Sequence, residues 1–387
     1  MTSRPRLQSL IYEVTPRCNH ACLHCYNIWA APASSPTLPH MKTTYGGGSQ
    51  GKGTPSPKCD LHWGEGRGGG WEGKGGGLSE LDTPHSLALL SKALEETDCP
   101  HVTLTGGEPL LRPDLPQMVD FLRQRGVQST IISNGRLLSE ERVVELLEGG
   151  AGLFELPLLS YRREVHDRLS GVAGAFDAVL AAMARIRSHG GQFVAVFVAT
   201  RMNLPDLYDT LRLAFAFGAR GMMLNRFNVG GRGITHMDEL LPSVEELRAA
   251  LAVADKVSTQ LGFSISCSIP IQPCLIDMSA FPRLGFGFCA AGTERAYYTL
   301  DPVGNLRPCN HTSTILGNLF DEPFADLTAP ERMVDFCQAL PDFCQPCSQR
   351  QTCQGGCKAA AQACFQSLSA EEPFLRYNRA VAKPLPG

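Results

Sequence analysis

Fifteen cysteines stand out in this chain of 387 residues, and most of them fall into two groups. Cys18, Cys22 and Cys25 lie within eight residues, in the run Cys18-Asn19-His20-Ala21-Cys22-Leu23-His24-Cys25. Toward the other end come Cys289, Cys309, Cys344, Cys347, Cys353, Cys357 and Cys364. An odd count excludes complete disulfide pairing. The stretch Met1 to Gln8 is polar and basic, and the apolar run behind it is too short for a signal peptide. A cytoplasmic location is therefore expected, where clustered thiols bind metal or carry out redox chemistry. Three thiolates at this spacing can each take one iron of a four-iron cubane, leaving the fourth iron open to a small chelating ligand. The alternative is a zinc ion with His20 or His24 as fourth ligand.

The elements that would position these residues alternate. Short apolar strands are expected at 10–14, 101–105, 129–133, 153–159, 193–199 and 222–227. Helices are expected from Thr83-Pro84, as N-cap and first helical residue, at about 115–125 with Gly126 just past its end, and at about 139–148, 175–188, 205–217 and 243–261. Six strand–helix units in series imply parallel strands with right-handed crossovers. They are too few for an eight-unit barrel, so the fold class is α/β, a partial (β/α)6 TIM-like barrel. Residues 30–77 interrupt it. They are rich in Gly, Pro, Ser, Thr and Lys and poor in aliphatics, and read as a disordered insertion holding Cys59. The expected units are a barrel over 1–262, a small cysteine-rich iron–sulfur domain over 263–370 and a loose tail over 371–387.

Position favours the cubane over zinc. In parallel barrels, functional loops follow the C-terminal ends of strands. The three cysteines follow the first strand, and Thr105-Gly106-Gly107-Glu108-Pro109 follows the second. Two glycines there permit close backbone approach to a ligand.

These motifs together resemble the radical S-adenosylmethionine superfamily, over roughly residues 9–262 apart from the insertion. The resemblance implies a 4Fe–4S cluster on Cys18, Cys22 and Cys25 as the catalytic centre. It places His24 near the adenine of S-adenosyl-L-methionine, and Gly106, Gly107, Glu108 and Pro109 at its methionine amino group. Ser133-Asn134-Gly135, Thr200 with its neighbours, and Asn225-Arg226-Phe227 ahead of Gly230-Gly231-Arg232-Gly233 resemble the cofactor-lining ends of later strands. Ser133, Asn134, Thr200 and Arg226 are accordingly expected at the cofactor. Many relatives carry Ser-x-Asp-Gly after the fourth strand. This chain has Leu158-Leu159-Ser160-Tyr161, so no acid is carried over there. The implied chemistry is reductive cleavage of the sulfonium to a 5′-deoxyadenosyl radical that abstracts hydrogen.

The C-terminal cysteines resemble a SPASM domain, found in radical enzymes that modify peptides and proteins. A zinc ribbon is the alternative reading of the Cys-x2-Cys element. The SPASM resemblance implies two auxiliary 4Fe–4S clusters, about three in all. Cys289, Cys309 and Cys357 would serve the nearer, and Cys344, Cys347, Cys353 and Cys364 the farther. Cys274 is the candidate fourth ligand of the nearer, the alternative being an open iron there. Cys99, Cys267 and Cys337 fit no pattern and read as core residues.

Composition narrows the partners. A net charge of −3 without basic runs gives no case for nucleic acid, and no apolar run reaches membrane-spanning length. The function expected is modification of a ribosomally made peptide by crosslinking, epimerisation or oxidation. Alternatives are maturation of a protein such as a sulfatase, processing of a cofactor precursor, or a non-catalytic iron–sulfur electron carrier. Expected partners are a peptide or small protein substrate and a flavodoxin- or ferredoxin-type electron donor. With only about nine residues ahead of the first strand, a separate leader-peptide-binding protein is a further expected partner.

Overall fold

The computed structural model describes residues 4–27 and 79–382. The expected insertion, Cys59 and the end of the expected tail lie outside these residues. Six parallel strands form the centre: β1 (Ser9–Thr15), β2 (His101–Gly106), β3 (Gln128–Ile132), β4 (Ala151–Pro157), β5 (Phe193–Ala199) and β6 (Gly221–Arg226). They pair in sequence order. Between them run α1 (Thr83–Glu96), α2 (Leu115–Gln124), α3 (Glu140–Glu148), α4 (Arg163–Ser170), α5 (Ala175–Ser188) and α6 (Leu207–Ala216).

Strand alternation builds the core. On β5, Phe193, Ala195, Phe197 and Ala199 are fully buried, while Val194, Val196 and Val198 are half-buried on the other face. The first set meets the helices; the second lines the inside of the barrel. On α5, Val179, Ala182, Met183 and Ile186 supply the matching apolar stripe. Helix ends follow local chemistry. The side chain of Asp82 accepts from the His85 N–H, which makes Asp82 the N-cap of α1 rather than Thr83. Thr83 instead donates to Asp114 at 2.6 Å. Gly126 follows α2 with φ +70°, the left-handed position expected of it.

The sheet does not stop near residue 262. After α7 (Met237–Leu240) and α8 (Val244–Leu261), the short strands β7 (Ser264–Cys267) and β8 (Leu284–Phe286) continue it in parallel beyond β6. On the opposite edge, β9 (Tyr297–Leu300) pairs in parallel with β1, and β10 (Asn305–Arg307) and β11 (Gly317–Asn318) follow antiparallel. One sheet of eleven strands therefore carries both cysteine groups. Strands this short, set among Pro, Gly and Cys, carry little periodicity, which is why the sequence reads as a separate unit there.

The remaining helices are α9 (Phe324–Leu327), α10 (Pro330–Gln338), α11 (Arg350–Cys353), α12 (Lys358–Phe365) and α13 (Pro373–Tyr377). The last corrects the expectation of a loose tail. Phe374 and Leu375 are fully buried, and Glu372 is 1% exposed in an ion pair with Arg226. Among the described residues no single helix is long and apolar enough to cross a membrane.

Candidate functional site

The loop Cys18–Cys25 leaves β1 at the C-terminal mouth of the barrel, and neighbouring backbone clamps it on three sides. On the first side, the N–H groups of Gly107 and Glu108 donate to the carbonyls of Thr15 and Arg17, both at 2.7 Å. A Cβ on Gly106 would lie 2.3 Å from the Thr15 oxygen, and one on Gly107 2.1 Å from that of Arg17. The two glycines are required because the cysteine loop itself approaches this closely. On the second side, Ala21 and Leu23 donate to the carbonyls of Ser170 and Leu169 at the end of α4, and Gly171 faces the Ala21 carbonyl. On the third, Gly233 donates to the Cys25 carbonyl at 3.0 Å, and Gly231 packs against the same backbone.

The three thiols so held share one environment. Cys18 is exposed, and Cys22 and Cys25 are half-buried. Protein nevertheless surrounds Cys18 closely enough that desolvation pushes its thiol up to about 11. Burial also raises Cys22 and Cys25, and mutual repulsion adds to it at Cys18 and Cys22. The guanidinium of Arg232, between the two clamping glycines, opposes this at all three. Crowded, desolvated thiols become thiolates when a cationic metal body compensates them. Among the described residues no three His, Cys, Asp or Glu side chains converge on a single-ion position. Three thiols that share a space can each take one iron of a four-iron body. His20 and His24 are pushed down to about 4, chiefly by burial, and stay neutral. Nε2 of His20 and Nδ1 of His24 are buried without a partner, which leaves polar capacity facing this loop.

Several residues expected at the cofactor point elsewhere with their side chains. Glu108 is buried, accepting from Ser133 Oγ (2.8 Å), the Asn134 N–H (2.8 Å) and the Leu110 N–H (3.1 Å). Burial pushes its carboxyl up to about 7, against the pull of these donors. It locks β3 to the glycine loop, so the motif offers backbone there rather than a free carboxylate. Pro109 is buried behind it. Asn134 donates to Asn19 Oδ1 at 2.7 Å, bracing the cysteine loop. Thr200 is fully buried and donates to Asn203 at 2.9 Å. Arg226 corrects its expectation most plainly. It donates to the Pro270 carbonyl at 2.6 Å and to Glu372 at 2.5 Å, with Phe374 stacked 4.9 Å away. Its charge is spent on the interior contact with α13.

Other residues escaped sequence reading. Ser160 donates to Asp206 at 2.6 Å and Arg162 reaches the same carboxylate at 2.8 Å. Asp206, beyond β5, is buried and fixes the loop after β4. Glu155 lies between the fully buried Phe154 and Leu156 on β4, so alternation turns it into the barrel. Burial alone pushes its carboxyl up to about 7. Tyr26 stacks on His311 with ring centroids 4.0 Å apart and accepts from Asn310 at 2.7 Å, joining the cysteine loop to the C-terminal region. No motif marks Arg162, Asp206, Glu155, Tyr26 or His311; Ser160 alone stands at a motif position, in Leu158-Leu159-Ser160-Tyr161.

The C-terminal cysteines form two groups. Cys289, Cys309 and Cys357 lie near Tyr297 on β9, whose hydroxyl is raised first by burial and then by all three. Asn228, just after β6, donates to Cys357 Sγ at 3.3 Å. Cys274, Cys344, Cys347 and Cys353 line a second cavity together. Cys274 therefore does not sit with the nearer group, as expected of it, because the turn after β7 carries it to the other side. Cys364 does not line this cavity; it is buried on α12 with Ala360 and Ala361. Cys99 and Cys267 are buried singly.

Comparison with known proteins places this geometry. The Radical SAM superfamily pattern matches residues 12–214. The PqqA peptide cyclase of Granulibacter bethesdensis is 28% identical over 306 residues, covering 76% of this chain and 78% of its own. That of Xanthomonas oryzae pv. oryzae is 24% identical across 99% of this chain and 91% of its own. The AdoMet-dependent heme synthase of Oleidesulfovibrio alaskensis is 23% identical over 96% and 88%. In fold the chain resembles Streptococcus suis SuiB bound to S-adenosylmethionine (TM-score 0.65, 15% identity, 95% of this chain and 76% of that one). It also resembles anSMEcpe with bound AdoMet (TM-score 0.65, 15% identity, 97% and 96%). With the family pattern matching more than half its length, over the same strands that hold Cys18, Cys22 and Cys25, the chain belongs to the radical SAM superfamily.

Proposed function

We propose that this enzyme modifies a ribosomally synthesised peptide by abstracting hydrogen from it. The observation that supports this best is the second cysteine region, built onto the same sheet as the cofactor loop. The likeness to PqqA peptide cyclases runs along 76% to 99% of the chain, and so beyond the barrel. S-adenosylmethionine and a 4Fe–4S cluster, the cofactors of this family, supply one-electron cleavage of a sulfonium and hydrogen abstraction.

The chain's own residues then have separable tasks. Cys18, Cys22 and Cys25 hold the catalytic cluster, with Arg232 as the cation beside their thiolates. The backbone around Gly106 and Gly107 shapes the cofactor's seat, and Glu108 keeps that backbone in register with β3. Glu155, inside the barrel with its carboxyl near neutrality, handles a substrate proton. The C-terminal cysteines would hold the iron–sulfur centres that take an electron from the substrate. The bond made, whether crosslink, epimer or oxidised side chain, is a question for the product. A flavodoxin- or ferredoxin-type donor would supply the electron to the centre held by Cys18, Cys22 and Cys25.

The relation to a heme synthase favours one second reading, in which the substrate is a small tetrapyrrole-like precursor. Anaerobic incubation of the reduced enzyme with S-adenosylmethionine and short peptides encoded beside its gene separates the two. The proposal expects a peptide whose mass changes in step with 5′-deoxyadenosine. Turnover of a small precursor, with every such peptide recovered unchanged, would replace it with the second reading.

A further inference from the structure

Four thiols line the cavity beyond β7, and they come from two distant stretches of chain. Cys274 sits in a turn in which Leu275 and Ile276 both donate to the Gln272 carbonyl, at 2.9 and 3.1 Å. That turn is fixed. Gln272 is 1% exposed and donates to Glu372, and Arg248 of α8 donates to the Leu275 carbonyl at 3.0 Å. Cys344, Cys347 and Cys353 arrive from successive tight turns. Cys347 donates to the Cys344 carbonyl at 3.1 Å, and Cys353 to that of Gln349 at 2.8 Å. Gly355 closes the wall with φ +77°, where a Cβ would meet Pro341 at 2.6 Å.

Cys364 is placed differently. It follows Cys357 by seven residues on α12, about 10 Å along the helix axis. It lies on the buried face of α12 with Ala360 and Ala361, and it is not among the residues that line the cavity.

We propose that Cys274 is the fourth thiolate of the farther iron–sulfur centre, completing Cys344, Cys347 and Cys353, and that Cys364 is not a ligand of it. This rests on the reading of these cysteines as cluster ligands. Its structural consequence is a metal staple. The segment leaving the barrel sheet after β7 is tied to the C-terminal region through the centre, so assembly of that centre and docking of the two stretches are one event.

The test uses the full chain, reconstituted anaerobically with iron and sulfide, in four forms: parent, Cys274→Ser, Cys364→Ala and Cys344→Ala. The readouts are iron and labile sulfide per chain, electron paramagnetic resonance, and circular dichroism as a check of folding. Serine preserves volume, so Cys274→Ser should fold. It should lose up to about a third of the iron, or show a three-iron signal from one centre, as Cys344→Ala does. Cys364→Ala should match the parent in iron and in spectrum. The assignment is overturned if Cys274→Ser keeps the parent's iron and spectrum while Cys344→Ala does not. It is equally overturned if Cys364→Ala loses the centre as Cys344→Ala does. A Cys344→Ala variant with undiminished iron and sulfide would instead overturn the underlying cluster reading, and the ligand assignment with it.

Discussion

Buried ionisable groups in this molecule have their titration set by what surrounds them, and His166 is the cleanest case. Its Nδ1 accepts the Leu159 N–H at 3.2 Å, and burial pushes it down to about 4. Protonation would destroy the acceptor. Because the folded value lies below the unfolded one, its stability contribution is fully present above about pH 6.5 and is lost as pH falls toward 4. His166→Phe should cost about 1–3 kcal/mol near neutrality, from the unpaired N–H, and remove that share of the acid slope. Chemical denaturation between pH 4 and 8 would show it; an unchanged slope would refute the assignment. Glu155 gives a prediction about turnover. Its carboxyl, raised to about 7, is mostly protonated in acid and ionises as pH rises through neutrality. Peptide turnover should therefore fall below about pH 7 in the parent. Glu155→Gln should lower turnover about tenfold or more, flatten that limb and leave iron content unchanged. A variant with the parent's rate and pH profile would remove Glu155 from the chemistry.

Glycines at the strand ends decide where the cysteine loop sits. The Gly106-Gly107 pair looks in the sequence like a ligand-approach motif. In the fold its first duty is contact with Thr15 and Arg17, the residues leading into Cys18. Gly107→Ala forces a Cβ into the Arg17 carbonyl and should displace the loop. Iron at the first centre and 5′-deoxyadenosine formation should then fall together. Gly126→Ala is the control. A Cβ there meets nothing within 4 Å, so it should cost only about 1 kcal/mol of left-handed strain and leave activity intact. Equal activity in the two variants would deny the clamp its role. The six long strands and their helices were legible because each carries a period, as in Phe193–Ala199. Helix α4 was not, because Arg163–Ser170 is largely polar and is fixed by His166 and Leu169 in tertiary contact. Strands β8 to β11 were not, because two to four residues cannot display alternation. The cysteine spacing identified the thiols but could not assign Cys274, whose group is decided by a turn 70 residues upstream of Cys344.

At the scale of the molecule, one sheet and a few buried ion pairs bind the two cysteine regions together. Arg226 of β6 meets Glu372 before α13, and Arg307 of β10 meets Glu13 of β1. Sequence reading offered Arg226 to the cofactor because a charged residue at a barrel strand's end is usually functional. The apolar pair Phe374-Leu375 pulls α13 down and brings the neutralising carboxylate with it. Removing one partner strands a buried charge, so Glu372→Leu should cost about 3–5 kcal/mol in thermal or chemical unfolding. Pairing it with Arg226→Met should recover most of that loss, since the stranded charge is gone. A double variant no better than the single would show that the other bonds of Glu372, to Gln272 and the Cys357 N–H, dominate. The central claim is that the loop clamped at the mouth of this sheet holds the cluster that cleaves S-adenosylmethionine. The direct measurement is 5′-deoxyadenosine formed by the dithionite-reduced chain, parent against Cys18→Ala/Cys22→Ala/Cys25→Ala, with iron counted in both. The account predicts that the triple variant forms none and retains the iron of the C-terminal cysteines. Formation of 5′-deoxyadenosine at the parent's rate by the triple variant would contradict it.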